Sequence, residues 1–244
     1  MKSRSCIWGV SEGHVGRYGV VLLMAVIMAL LFVPVTPVAA SDEVNDLPPI
    51  NNYASARFDT LTTVRVGDTE FIDEYGHGAE IAPDRYTVKW VAGDGSATFE
   101  YVQIGTVVYT NDGAGWERTD TPPPTESSEG SEGLSVTSIL RIGDAVVRDV
   151  PTTHYQIWTT GNRWFQFTNQ LAVPGDERSF LEQTTIKIDL WIGQADGFVH
   201  QNNFVVSFPE FEAEDGTIVL PTEVSTLTTY YNFNDSTISI EAPI

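Results

Sequence analysis

The sequence predicts a mainly β protein of the α+β kind, in which one wide, curved antiparallel sheet carries short helices over its concave face. Three observations predict it. After residue 53, apolar residues recur mostly at every second position, the period of a half-buried strand. The alternating runs are joined by connections of turn length, several of them marked by Asp-Gly or Gly-Asp. Windows with helical spacing are few, and a single sheet of roughly ten strands curls or closes instead of staying flat.

Taken in order, Phe58, Thr60, Thr62, Val64 and Val66 alternate with Asp59, Leu61, Thr63 and Arg65 up to Gly67-Asp68. Tyr86, Val88 and Trp90 alternate with Thr87, Lys89 and Val91 up to Gly93-Asp94-Gly95. Phe99 to Ile104 and Thr106 to Thr110 read as two strands bent at Gly105, and Asn111-Asp112-Gly113 as a turn before a short strand with Trp116. Residues 119–133 hold Pro122-Pro123-Pro124 and four acids with no base, the composition of a solvated loop. Leu134, Ile139 and Leu140 have the spacing of a short helix, although β-branched Val136 and Thr137 argue against it. Strands resume at Ala145 to Val150 and Thr153 to Thr160. Val173 to Gln183 is either a short helix capped at Asp176 or an extended loop. The clearest hairpin joins Thr185–Ile192 to Gly197–Phe208, with Ile186, Ile188, Leu190, Ile192, Phe204, Val206 and Phe208 on one face. A last pair runs over Leu227 to Phe233 and Thr237 to Ile240.

Residues 1–40 differ from the rest. Lys2, Arg4 and Arg17 precede an apolar run from Val20 to Val33, followed by Val38-Ala39-Ala40, the order of an export signal cleaved after Ala40. The run is about 14 residues against the roughly 20 that a spanning helix needs; if retained, it would act as a membrane anchor. Residues 41–53 then form a lead-in and 54–244 one domain. The expected location is extracytoplasmic, secreted or associated with the cell envelope. The only cysteine, Cys6, lies in the signal and Ser41 follows it, so neither a disulfide nor a diacylglycerol anchor is expected.

Charge and motif exclude several functions. The whole chain has 13 basic and 33 acidic residues, and no Lys or Arg follows Lys187. Such a surface repels nucleic acid and anionic lipid heads. Gly130-Ser131-Glu132-Gly133 is one residue short of a nucleophile elbow. His77, His154 and His200 have no zinc spacing, and Asp94, Asp112, Asp120, Asp215 and Asp235 form no calcium loop, so no metal or other cofactor is expected. Glu210, Glu212, Glu214 and Asp215 read as a solvated run instead of a glycosidase pair. Trp90, Trp116, Trp158, Trp164 and Trp191 are the residual signal, as core or as cavity wall.

Several segments taken in order carry a resemblance: Leu47-Pro48-Pro49-Ile50-Asn51-Asn52-Tyr53, Val107-Val108-Tyr109 with Gly115-Trp116-Glu117, His154-Tyr155, Ile188-Asp189-Leu190-Trp191-Ile192 with Asp196-Gly197, and Tyr231-Asn232-Phe233-Asn234-Asp235 with Ile240-Glu241-Ala242-Pro243. Together they resemble the LolA-like and LppX-LprG-like extracytoplasmic lipid-carrier superfamily, over essentially the whole exported chain. The resemblance implies an unclosed barrel with an apolar cavity, and binding and carriage instead of catalysis, in envelope lipid or lipoprotein trafficking. Alternation within strands then nominates Tyr86, Val88, Trp90, Tyr155, Ile157, Ile188, Leu190, Phe204, Val206, Leu227 and Tyr231 as one face lining that cavity. The expected partner is a lipid or another apolar small molecule, with a neutral or cationic head group favoured over a phosphate. The alternatives are a β-sandwich module binding carbohydrate or protein, and an envelope-stress sensor domain.

Overall fold

The computed structural model describes residues 42–120, 137–161, 178–212 and 218–243. In chain order the strands are β1 (Asp42–Val44), β2 (Ser55–Val66), β3 (Thr69–Ile81), β4 (Arg85–Ala92), β5 (Thr98–Ile104), β6 (Val107–Asn111), β7 (Trp116–Asp120), β8 (Ser138–Val147) and β9 (Val150–Thr160). Helix α1 (Arg178–Gln183) follows, then β10 (Thr185–Gly193), β11 (Val199–Phe208), β12 (Phe211–Glu212), β13 (Ile218–Val219) and β14 (Thr222–Tyr231).

Twelve strands belong to one antiparallel sheet, in the order β1-β8-β9-β10-β11-β14-β2-β3-β4-β5-β6-β7. Two meanders, β2 to β7 and β8 to β11 with β14, are therefore welded by a single non-local ladder. That ladder runs from Thr222 opposite Val66 to Tyr231 opposite Arg57. The outer strands β1 and β7 do not pair with each other, so the curved sheet is unclosed. β12 and β13 form a small separate ladder. One wide sheet sets aside the two-sheet sandwich weighed from the sequence.

Cα partners in an antiparallel ladder carry their side chains on the same face. One row of partners crosses the sheet through Tyr155, Leu190, Asn202, Thr228, Thr60, Gly76 and Trp90. The next passes through Ile157, Ile188, Phe204, Thr226, Thr62 and Glu74. We call this the inner face. It carries two apolar clusters: Phe58, Val88, Trp90 and Tyr101 on the β2–β5 side, and Ile139, Ile157, Leu190 and Ile192 on the β8–β10 side. Between them, Thr60, Thr62, Thr226 and Thr228 are all buried, and their hydroxyls pair across β2 and β14 at 3.2 and 3.3 Å. On the outer face, the C-terminal tail packs Ile238 and Ile240 against Ala79, Val102 and Tyr109.

Several sequence expectations change here. Residues 69–81 show no alternating pattern in the sequence, yet β3 is the longest strand in the sheet at 13 residues. Its inward positions include Gly76 and Gly78, whose missing side chains leave room for Trp90 and Phe58, and this erases the apolar alternation. The short helix over Leu134 to Leu140 is replaced by strand from Ser138, because Ile139 is buried between Val44 and Ile157 in the ladder; Leu134 lies outside the described residues. Thr119 and Asp120, placed in the acidic loop, complete β7 opposite Val108 and Val107, while 121–133 lie outside the described residues. Phe211 and Glu212 pair in β12, so that part of the acidic run is strand; Glu214 and Asp215 lie outside the described residues. Helix α1 matches the helical option before β10, without its cap Asp176, which lies outside the described residues, as do residues 1–40 and Trp164.

Candidate functional site

At one end of the inner face the filled core gives way to an open groove of about 690 Å3. Three pieces of chain frame it. The lead-in supplies Ile50 to Tyr53, the β3–β4 connection supplies Glu80 to Tyr86, and the floor includes Tyr101, Leu190, Val199 and Tyr230. The lead-in is held over the sheet by backbone and side-chain contacts: Asn51 N–H donates to the Gly197 carbonyl at 3.0 Å, and its side-chain amide donates to the Asp196 carbonyl at 2.6 Å. Gly197 has a φ of +70°, and a Cβ there would meet Asn51 at 2.8 Å, so the turn residue must be small for the lead-in to dock.

Four tyrosines, Tyr53, Tyr86, Tyr101 and Tyr230, line the groove wall. Tyr53 stands 5.6 Å from Tyr230 between ring centroids, Tyr86 stands 5.9 Å from Tyr101, and Phe58 stacks on Tyr86 at 5.4 Å. Glu80 is the direct ladder partner of Tyr86, and the Tyr53 hydroxyl donates to its Oε1. Burial raises the Glu80 carboxyl above the usual carboxylate range, opposed by the Tyr53 hydrogen bond. Burial also raises the phenols of Tyr53, Tyr86 and Tyr230, reinforced by the nearby Glu80 charge. These phenols are neutral donors and acceptors across the physiological range.

The eleven residues nominated from sequence divide. Tyr86, Val88, Trp90, Tyr155, Ile157, Ile188, Leu190, Phe204 and Val206 share the inner face by register. Leu227 and Tyr231 are on the opposite face, because Thr226 and Thr228 are the partners of Thr62 and Thr60 and the side-chain period is two. Leu227 lies opposite Leu61 and Asn203, and Tyr231 donates to Asp59 at 3.2 Å with the Arg148 guanidinium 4.2 Å from its ring. Among the nine inner-face residues, Tyr86 and Leu190 line the groove; Val88, Trp90, Ile157 and Phe204 are packed in the filled core.

Sequence reasoning missed Tyr53, Glu80, Tyr101 and Tyr230. Glu80 ends a strand hidden by its glycines, and Tyr53 lies before the first alternating run. Tyr230 has the opposite parity to Leu227 and Tyr231, the residues the sequence nominates on that strand. The adjacent pair Tyr230-Tyr231 was the one visible signal, since in a strand one of two neighbouring aromatics must face inward.

Other polar clusters are built as supports. On the outer face Asp189 is buried, with His154 Nε2 and Gln156 Nε2 each 2.9 Å from its Oδ1 and Lys187 Nζ 3.3 Å from its Oδ2. His200 pairs with Asp196 at 2.9 Å in the turn that receives Asn51. Among the described residues no group of three His, Cys, Asp or Glu side chains could hold a metal ion, and no helix is long and apolar enough to cross a membrane.

No family model and no curated protein matches the chain. Among solved structures it is similar to the lipoprotein LppX of Mycobacterium tuberculosis, at 14% identity and a TM-score of 0.48, covering 78% of this chain and 90% of that one. It is similar to LprF of Mycobacterium bovis at 11% identity and a TM-score of 0.42, with the same coverage. It is also similar to a LolA superfamily protein of Nitrosomonas europaea at 8% identity and a TM-score of 0.31, again covering 78% and 90%.

Proposed function

We propose that the protein is an exported, non-catalytic binding protein that holds a lipid or another long apolar ligand. The groove of about 690 Å3 carries this reading. Its volume falls within the roughly 300–1,000 Å3 of small-molecule sites, and its wall combines tyrosines and the aliphatic Ile50, Ile81, Leu190 and Val199 with a set of amide and charged side chains. Each methylene a ligand buried there would contribute about 0.8 kcal/mol. The ligand's polar end then lies toward the lead-in, among the Tyr53, Glu80 and Asn202 side chains.

Two measurements test it. Organic extraction of the purified exported protein, followed by mass spectrometry, is expected to release a lipid. A fluorescent fatty-alcohol probe is expected to bind the wild type and to be excluded by Leu190→Trp, which fills the groove from its floor. No extractable lipid together with no probe binding by the wild type would refute the proposal.

A further inference from the structure

Glu80 is a half-buried carboxylate on the wall of an aromatic groove, and among the described residues no cation pairs with it. Its neighbours are three phenol rings: Tyr86 across the β3–β4 ladder, Tyr53 bonded to its Oε1, and Tyr230, close enough to feel its charge. The other charges on the wall are Asp84 and Arg85, and the Arg85 guanidinium is turned to the Ile240 carbonyl at 3.3 Å. The groove is therefore short of one positive charge.

A buried carboxylate without a counter-charge is costly, and a protein normally resolves it with a cation or a proton. Aromatic faces attract cations through their quadrupoles, and Tyr rings do so most where water is excluded. An anionic head would meet the Glu80 and Asp84 carboxylates with Arg85 alone to offset them, whereas a positively charged nitrogen would meet a carboxylate on a tyrosine-lined wall. Surface charge agrees, since a chain with 33 acids and 13 bases attracts cations over long range.

We propose that Glu80 and the rings of Tyr53, Tyr86 and Tyr230 receive the positively charged nitrogen of an amphiphile, so that the ligand class is an alkylammonium lipid. This rests on the carrier reading above and names its cargo.

The experiment compares three amphiphiles with the same dodecyl chain below their micelle concentrations: dodecyltrimethylammonium, dodecyl maltoside and dodecyl sulfate, each measured by calorimetric titration. The cationic probe is expected to bind about tenfold tighter than the maltoside, and the sulfate weakest. Glu80→Gln is expected to abolish the cationic preference, bringing dodecyltrimethylammonium to the affinity the same variant has for the maltoside. Glu70→Gln, the same change of net charge at an exposed position of β3, is expected to leave the preference intact, which separates the groove from general surface attraction. If Glu80→Gln does not fold by far-UV circular dichroism, Tyr53→Leu on the irregular lead-in provides the same reading, with a several-fold loss of preference expected. Equal binding of all three probes, or a preference lost equally in Glu70→Gln, overturns the assignment and leaves the carrier standing. Failure of every probe to bind overturns both.

Discussion

Gly78 sits directly opposite Phe58 in the β2–β3 ladder, and a Cβ on it would lie 2.5 Å from the Phe58 ring and closer still to the Thr87 carbonyl oxygen. Phe58 is fully buried and stacks on Tyr86, so this absent side chain shapes the groove wall two residues away from Glu80. Gly78→Ala is expected to destabilise the protein by about 3 kcal/mol, because backbone on one side and a packed ring on the other cannot both retreat. Urea unfolding of the variant measures it. A loss under about 0.5 kcal/mol would mean that the two strands are not in this register.

Glu74 lies on the inner face beside Thr62, its Oε1 3.5 Å from the Thr62 hydroxyl. Burial pushes its carboxyl up to about 7, helped by the charge of Asp73 and opposed by Thr62. The native state therefore binds a proton that the unfolded chain has released, and stability falls as pH rises from about 4.5 through 7. Glu74→Gln removes this penalty. The variant is expected to match the wild type at pH 4 and to exceed it by up to about 3 kcal/mol at pH 8, read from denaturant midpoints at the two pH values.

Asp189 behaves oppositely. Burial alone would raise its carboxyl, but the His154 hydrogen bond, the Lys187 charge and the Gln156 amide outweigh it and hold the carboxyl below the usual range. The stability this contributes is fully present above the unfolded value of about 3.9 and is lost as pH falls through the lower native value. Asp189→Asn is expected to cost about 3 kcal/mol at pH 7, since it leaves the facing donors short of a charge. Measured from pH 7 downward, the gap between the variant and the wild type should stay constant to about pH 4 and narrow below it.

Thr60 and Thr228 are buried with their hydroxyls 3.2 Å apart in the middle of the inner face. Thr228→Val alone strands the Thr60 hydroxyl and is expected to cost about 1–3 kcal/mol. The double change Thr60→Val, Thr228→Val removes both polar groups and is expected to cost less than the sum of the two single changes. A double-mutant cycle by thermal unfolding decides it; strict additivity would deny the pairing.

Period-two alternation determined much of this protein from sequence alone. It located β2, β4, β5, β9, β10 and β11, and the shared face of the β10–β11 hairpin, on which Ile186 lies opposite Val206 and Ile188 opposite Phe204. These are local properties, set by side-chain parity and a short connection. The alternation was silent where the packing partner supplies the bulk, as at Gly76 and Gly78, because there the apolar volume belongs to Trp90 and Phe58 on neighbouring strands.

Tertiary structure alone decided which parity of β14 faces inward. Thr226, Thr228 and Tyr230 are no more apolar than Leu227, Thr229 and Tyr231, so hydrophobicity cannot choose between them. The choice is made by the ladder with β2, a strand more than 150 residues away, where the buried Thr60 and Thr62 hydroxyls need the Thr228 and Thr226 hydroxyls opposite. The same ladder joins the two meanders into one unclosed sheet and brings Tyr230 beside Tyr53 and Glu80, which no stretch of sequence holds together. Buried polar groups must be paired, and pairing across such a distance is a property of the folded sheet and not of any segment in it.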